Sequence, residues 1–419
     1  MRPPPHFSSV LLATIPAIVL VAGMAGWAPA VLAQVSPGDT LRLSLADVLT
    51  QVRDEHPIWK AGSARVVAAR ARAAERNSNP WPTIRLGTTE SSEVRLELLQ
   101  PLRWPWEGSA LRAIGVQDVA VATADAEADR RGGLLEAGQR FADGLRSTRA
   151  LGLAVEAESL AQHTVDQVVA ENQPDQAADL AGLQTLVSLD EARRARVRAA
   201  LQHSLSQSRL AVLLGRDPGT SITFDGELAA IAPLTAPEAA LASALATDPK
   251  AVGLEHEAER AVQESRLARA RRWPALAVGP SVTVGDHTYL GVALGFAIPA
   301  WKRQREAVRA ARAERDTALA RVDLRHRELS ALVTEALVTL TRAKTELALL
   351  RGGTLARAAR ALRLAEEAAP QRGAYVLAWL AAREAYLTAR AAELDLEWEA
   401  AEARILLRHL TGSLIMEAP

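Results

Sequence analysis

Trp81-Pro82 and Trp273-Pro274 stand 192 residues apart, and each opens an alternating apolar run, TIRLG after the first and ALAVG after the second. Pro57 and Pro249 share the same offset, and Leu213-Leu214-Gly215 returns as Leu410-Thr411-Gly412. A chain that writes itself twice must build one supersecondary unit twice and bury what the two copies share. The halves therefore read as 34–215 and 236–412, with 216–235 as the linker between them and 413–419 as a tail.

Each half reads helix, hairpin, very long helix, turn, helix. Residues Leu329, Val333, Ala336, Leu340, Ala343, Leu347 and Leu350 step by four and three, an apolar seam of period 3.5. No proline falls between Trp301 and Ala369, nor between Glu107 and Gln173. The spacing predicts long helices over about 107–173 and 301–369, each roughly 100 Å at 1.5 Å per residue. Shorter helices are expected near 44–77, 178–214, 236–272 and 375–411. Only 4% of residues are aromatic, and Ala, Arg, Leu and Glu dominate, as in long helical coils.

Two segments break the helical period. Val94, Leu96 and Leu98 alternate with Glu93, Arg95 and Glu97, and Ile84 and Leu86 alternate with Thr83 and Arg85. Between 275 and 299 the apolar residues Leu276, Val278, Val282, Val284, Leu290, Val292, Leu294, Phe296 and Ile298 keep to even positions. This is the period of strands with one apolar face. Turns are expected at Ser91-Ser92 and Gly285-Asp286, giving two hairpins, about 83–101 and 275–299. Strands of about 9 to 11 residues, tilted, are long enough to cross a bilayer. Four strands cannot close a barrel, and lipid does not tolerate open sheet edges. The hairpins must pack on another part of the protein or combine across subunits, and three copies would supply twelve strands.

Five of the nine tryptophans, Trp81, Trp104, Trp106, Trp273 and Trp301, flank these hairpins beside prolines 82, 101, 105, 274 and 299. Tryptophan concentrates at membrane–water interfaces, so the five are expected as a girdle on the helical side of the strands. Packing where strand meets helix is the plainer alternative. At the N-terminus, Arg2, an apolar run over about 10–22 and the small-residue stretch ending Val31-Leu32-Ala33 read as a signal peptide, residues 1–33.

The chain has no cysteine, hence no disulfide and no thiolate metal site. Its 49 basic and 49 acidic residues balance, which gives no basic excess for nucleic acid. The histidines are scattered, without the i, i+4 or HExxH spacing of a metal site. No nucleophile elbow or phosphate-binding glycine loop occurs. The reading is therefore no enzyme, no cofactor and no resident metal.

The order of elements, the duplication, and the stretches LSLADVLTQVRDEHP, LLQPL, FAIPAW, LLG and HLTG resemble the TolC-like outer-membrane efflux protein family over about 41–412. The style of NPWPTIRLG resembles the family's heavy-metal efflux branch. The resemblance implies a mainly α fold with a small β part: a homotrimeric helical tunnel in the periplasm, topped by a twelve-stranded barrel in the outer membrane of a Gram-negative bacterium. It further implies a passive conduit, served by a periplasmic adaptor and an inner-membrane pump. In the family the gate lies at the turns between long and short helices, here 171–183 and 369–380. Asp175 and Asp179 would form acidic rings there, or would simply cap the following helix. Gly373, Tyr375 and Leu377 are the expected adaptor contacts. The competing reading is a periplasmic coiled-coil scaffold that never enters the membrane.

Overall fold

The computed structural model describes residues 41–415, apart from 89–92, 171–175, 231–236, 298 and 369–373. The stretch 1–33 read as a signal peptide lies outside the described residues.

The elements run β1 (Leu41–Leu43), α1 (Leu45–Glu55), α2 (Pro57–Asn77), β2 (Thr83–Thr88), β3 (Val94–Leu102), α3 (Pro105–Ala170), α4 (Gln176–Leu213), β4 (Ile222–Phe224), α5 (Pro237–Thr247), α6 (Pro249–Ala270), β5 (Ala275–Val284), β6 (Thr288–Ala297), α7 (Trp301–Leu349), α8 (Leu355–Ala368) and α9 (Ala374–Leu410). The longest, α3, has 66 residues. Nearest the strands, α3 packs between α2 and α6, and α6 packs against α7; farther along, α3 meets α4 and α9. Among the described residues no helix is long and apolar enough to cross a membrane.

Three expected helices are broken. The stretch 44–77 divides at His56-Pro57, and 236–272 divides at Asp248-Pro249. A proline fits the first helical position, where its missing N–H has no partner to lose, but it forces the preceding residue to stay extended. His56 has ψ 133° and Asp248 ψ 115°, and each side chain accepts a backbone N–H of the next helix. The third break divides the helix expected over 301–369. A π-helical turn, Leu350–Thr354, separates α7 from α8 at Gly352-Gly353. Glycine is a poor helix former, and one residue too many per turn rotates the helix face. The apolar seam runs up to that turn: Leu329, Val333, Ala336, Leu340 and Ala343 are buried, and Leu347 and Leu350 are half-buried.

The segment 216–235 is more than a linker, since its β4 pairs in parallel with β1. Three-residue strands carry no periodicity, so the sequence pattern could not reveal them. Their pairing closes the larger core. Leu43, Val48, Ile222 and Phe224 pack there on Leu134, Phe141, Leu210 and Ile405 from three helices. Each fully buried Leu or Ile contributes about 1.5–3 kcal/mol. A second cluster unites Ala240, Ala244, Leu329, Val333, Leu340, Ala400 and Leu407. Helices α4 and α9 both end on a left-handed glycine, Gly215 (φ 69°) and Gly412 (φ 73°). Behind the first, Arg216 N–H returns to Ala211 O at 2.8 Å, closing off the helix end.

Candidate functional site

Strands from both halves join in one antiparallel sheet of order β2-β3-β5-β6. β2 and β6 are its edges, and β3 with β5 forms the seam between halves. The first hairpin is shorter than expected: β2 has six residues, although β3 has nine and β5 and β6 ten each. The turn expected at Ser91-Ser92 lies outside the described residues.

Opposed residues in such a sheet share a face. One row runs Leu86, Leu96, Val282, Leu290 across all four strands. Ile84 with Leu98, and Val278 with Leu294, extend the same face. This face is exposed, with Leu290 at 84% and Val292 at 74%. Rows of the other face run Arg85, Glu97, Ser281, Gly291 and Gly87, Arg95, Thr283, Tyr289. Arg95 Nε donates to Thr283 Oγ1 at 3.3 Å across the seam. Leu99 lies on this second face yet is only 3% exposed, and its Cδ1 comes close to Gly295. One face is therefore largely apolar and open, with Thr88, Gln100 and Thr288 as its polar members. The other is polar near the hairpin turns and lined by Gly and Ala nearer the helices.

Where strands meet helices, three of the five tryptophans converge. Trp104 and Trp106 stack at 5.0 Å, and Trp106 meets Trp273 at 6.1 Å. Trp104 Nε1 donates to Pro274 O at 2.9 Å, which pins the start of α3 to the start of β5. Trp106, Trp273 and Trp301 remain exposed, and Trp81 is 90% exposed. Trp104 is thus packed and hydrogen-bonded, while Trp106 and Trp273 combine ring contacts with exposure.

At the opposite end, Asp175 and Gly373 lie outside the described residues. Asp179 falls in the first turn of α4 and Tyr375 in the first turn of α9. Leu377 is exposed on α9, while Trp379 two residues on is buried under Arg383. Burial beside that ring pushes the Arg383 guanidinium below its ordinary pKa.

Sequence reasoning missed a charged cluster where the π turn meets α9 and α3. The π turn aims Arg351 at α9, where its Nε donates to Glu393 Oε1 at 2.8 Å and its Nη2 reaches Glu397. Glu397 also takes Arg149 of α3, and Glu393 takes Arg390 at 2.6 Å. Tyr386 Oη donates to Glu156 Oε1 at 3.2 Å. Arg149, Glu156, Arg351, Arg390, Glu393 and Glu397 line a cavity of about 520 Å³. The sequence offered only two separate signals, Glu393 and Glu397 at i and i+4 and the distant pair Gly352-Gly353. Among the described residues no group of three or more His, Asp or Glu could hold a metal ion.

Two long coiled helices and a short strand pair, written twice, thus carry one largely apolar sheet face that nothing among the described residues covers. No family model and no curated protein matches the chain. Solved structures do. The open-state outer-membrane channel MtrE of Neisseria gonorrhoeae aligns at TM-score 0.75 and 16% identity, covering 88% of each chain. CusC, described in terms of folding and transmembrane channel formation, aligns at TM-score 0.74 and 14% identity, over 91% of this chain and 95% of its own. The outer-membrane protein VceC of Vibrio cholerae aligns at TM-score 0.71 and 16% identity, over 88% and 96%. The chain has the fold of the TolC-like outer-membrane channels.

Proposed function

We propose that this chain is the outer-membrane component of an efflux assembly, a passive conduit. The observation that carries the reading is the exposed row Leu86–Leu96–Val282–Leu290, an apolar face four strands wide. Water would not leave such a face open; lipid would. The edge strands β2 and β6 present free backbone groups, which a bilayer does not allow. Three copies, joined β6 to β2, close a barrel of twelve strands and remove both edges. The polar face then lines the lumen, and the helices continue the wall into the periplasm.

The exposed tryptophans support an interfacial girdle, with Trp104 as its internal anchor. The helix ends carry the gate, with Asp175 and Asp179 as acidic rings of the trimer. Gly373, Tyr375 and Leu377 face the periplasmic adaptor, which links the tunnel to an inner-membrane pump. Residues 1–33 direct export and are removed. Heavy-metal cations are the substrate class attached to the first strand's style. A conduit of this kind needs no metal ligands of its own, and the pump selects the cargo. The scaffold reading leaves the apolar face uncovered, and so ranks second.

Membrane fractionation and unheated gel electrophoresis test the proposal. An outer-membrane species near three times the 44.8 kDa chain mass is expected, less the removed leader. A soluble monomer in the periplasmic fraction would sink it.

A further inference from the structure

Beside the tryptophan cluster lies a cavity of about 550 Å³ between the start of α3 and the end of α6. Trp106, Ser109, Gln263, Arg266, Arg269 and Trp273 line it. Arg266 donates to Gln263 Oε1 at 3.2 Å, and Gln263 Nε2 donates to Glu259 at 2.6 Å. Among the described residues neither Arg266 nor Arg269 is in an ion pair with a carboxylate, and both are exposed. The nearby Glu107 belongs to Arg271 instead.

Stereochemistry decides which side of the wall this cavity faces. Gly285 N–H donates to His287 O at 3.3 Å, so odd residues of β5 bond toward β6 and even residues toward β3. Pro280 agrees: it is even, has no N–H, and the β3–β5 pairing skips the positions opposite Leu98 and Leu99. On a strand running upward, an L-residue whose side chain faces the viewer points its N–H and C=O to the right. Seen from the apolar face with the turns uppermost, β3 therefore stands to the right of β5, and α3 to the right of α6. On α6, Leu267, Arg260 and His256 turn to α3, and Ala258 and Ala261 turn to α7. At about 100° per residue, a right-handed α6 then aims Arg266, Arg269 and Trp273 at the viewer. The cavity opens on the same side as the apolar sheet face, directly beneath it.

We propose that this cavity binds the headgroup of an anionic phospholipid, in the leaflet that meets the helical end of the strands. The proposal rests on the membrane reading above. Apolar strand surface above the cavity receives the acyl chains. Trp106 and Trp273 sit at the level of the glycerol, the depth that indole prefers. Arg266 and Arg269, free of carboxylates, take the phosphodiester, for which the guanidinium fork is suited. Ser109 adds a hydroxyl donor. The ligand is a membrane lipid rather than free phosphate, because the site is continuous with the acyl-covering face.

The test is native mass spectrometry of the full chain in detergent, titrated with phosphatidylglycerol or phosphatidylcholine. Phosphatidylglycerol should be retained in preference. The double variant Arg266→Gln/Arg269→Gln should lose roughly 30-fold in retention, about fivefold for each arginine. Arg271→Gln, on the opposite wall face, should behave as wild type. Equal retention of both lipids, or an unchanged double variant, overturns the site. Displacement of the lipid by millimolar inorganic phosphate overturns the lipid assignment. If the double variant still fractionates with the outer membrane while its lipid retention is unchanged, the headgroup site falls and the conduit stands. If the wild type never enters the membrane, both fall.

Discussion

Gly144 of α3 lies flat against the ring of Phe224, with no room for even a β-carbon between them. Phe224 ends β4, and its ring also meets Phe141 edge-on at 5.9 Å and the His203 ring at 6.1 Å. A helix of the first half, a strand of the inter-repeat segment and the larger core thus meet at a single glycine.

Gly144→Ala should therefore destabilise the fold despite alanine's better helix propensity. The ring is rigid and enclosed, so overpacking costs about 1–3 kcal/mol, more than the ~1 kcal/mol that Gly→Ala returns in an open helix. Gly132, also on α3, has nothing near its missing side chain. Gly132→Ala should be neutral or stabilising. Chemical denaturation of both variants gives the comparison, and equal shifts would refute the close approach.

Gly279→Ala should disrupt the seam of the sheet. Its β-carbon would strike the backbone carbonyl of Leu98, which is held between Glu97 and Gln100, both paired with β5, and is itself paired with Ile84 of β2. Gly87→Ala on β2 meets nothing and serves as control. The expected outcome is loss of the unheated oligomer band for the Gly279 variant alone.

Arg351→Ala should loosen the contact between the π turn and α9. Glu393 and Glu397 are buried, and each loses one of its two arginines. Arg390 and Arg149 remain, and Arg351 is about half exposed, so the cost should be about 1 kcal/mol. A double-mutant cycle with Glu393→Gln separates this pair from general helix damage. Strict additivity would show that the pair contributes nothing.

Glu402 should make the protein less stable as pH rises. Burial, with Asp143 and Glu399 nearby, holds its carboxyl above the ordinary pKa, and Arg146 offsets this only in part. Its folded form then binds a proton that the unfolded chain has already released. Its stabilising contribution is full below the unfolded pKa and is lost as pH climbs toward the raised folded value. Glu402→Gln should stabilise the protein at neutral pH and flatten this part of the profile. Thermal melts from acid to neutral pH would show it, and a parallel profile for the variant would count against the shift.

Much of this architecture could be read from short-range pattern. The seam from Leu329 to Ala343 is buried as its spacing requires, and the alternation around Leu96 and Leu290 marks one face of a sheet. Helix breaks at Pro57 and Pro249 were legible too, yet a strong helical period on both sides masked them. The Arg351 cluster was not legible. It joins residues 149, 351, 393 and 397, which only folding brings together.

Periodicity is a property of neighbours in the chain, so the sequence alone determined long coiled helices, two apolar-faced hairpins and their duplication. It also placed the tryptophans at the strand–helix junctions. Pairing is a property of distant residues, and tertiary structure alone decided it. The seam of β3 with β5, the parallel β1–β4 pair, and the bond from Trp104 to Pro274 depend on which surfaces meet once the helices pack. The side of the wall that carries Arg266 and Arg269 was decided there as well, by the handedness of strand and helix together.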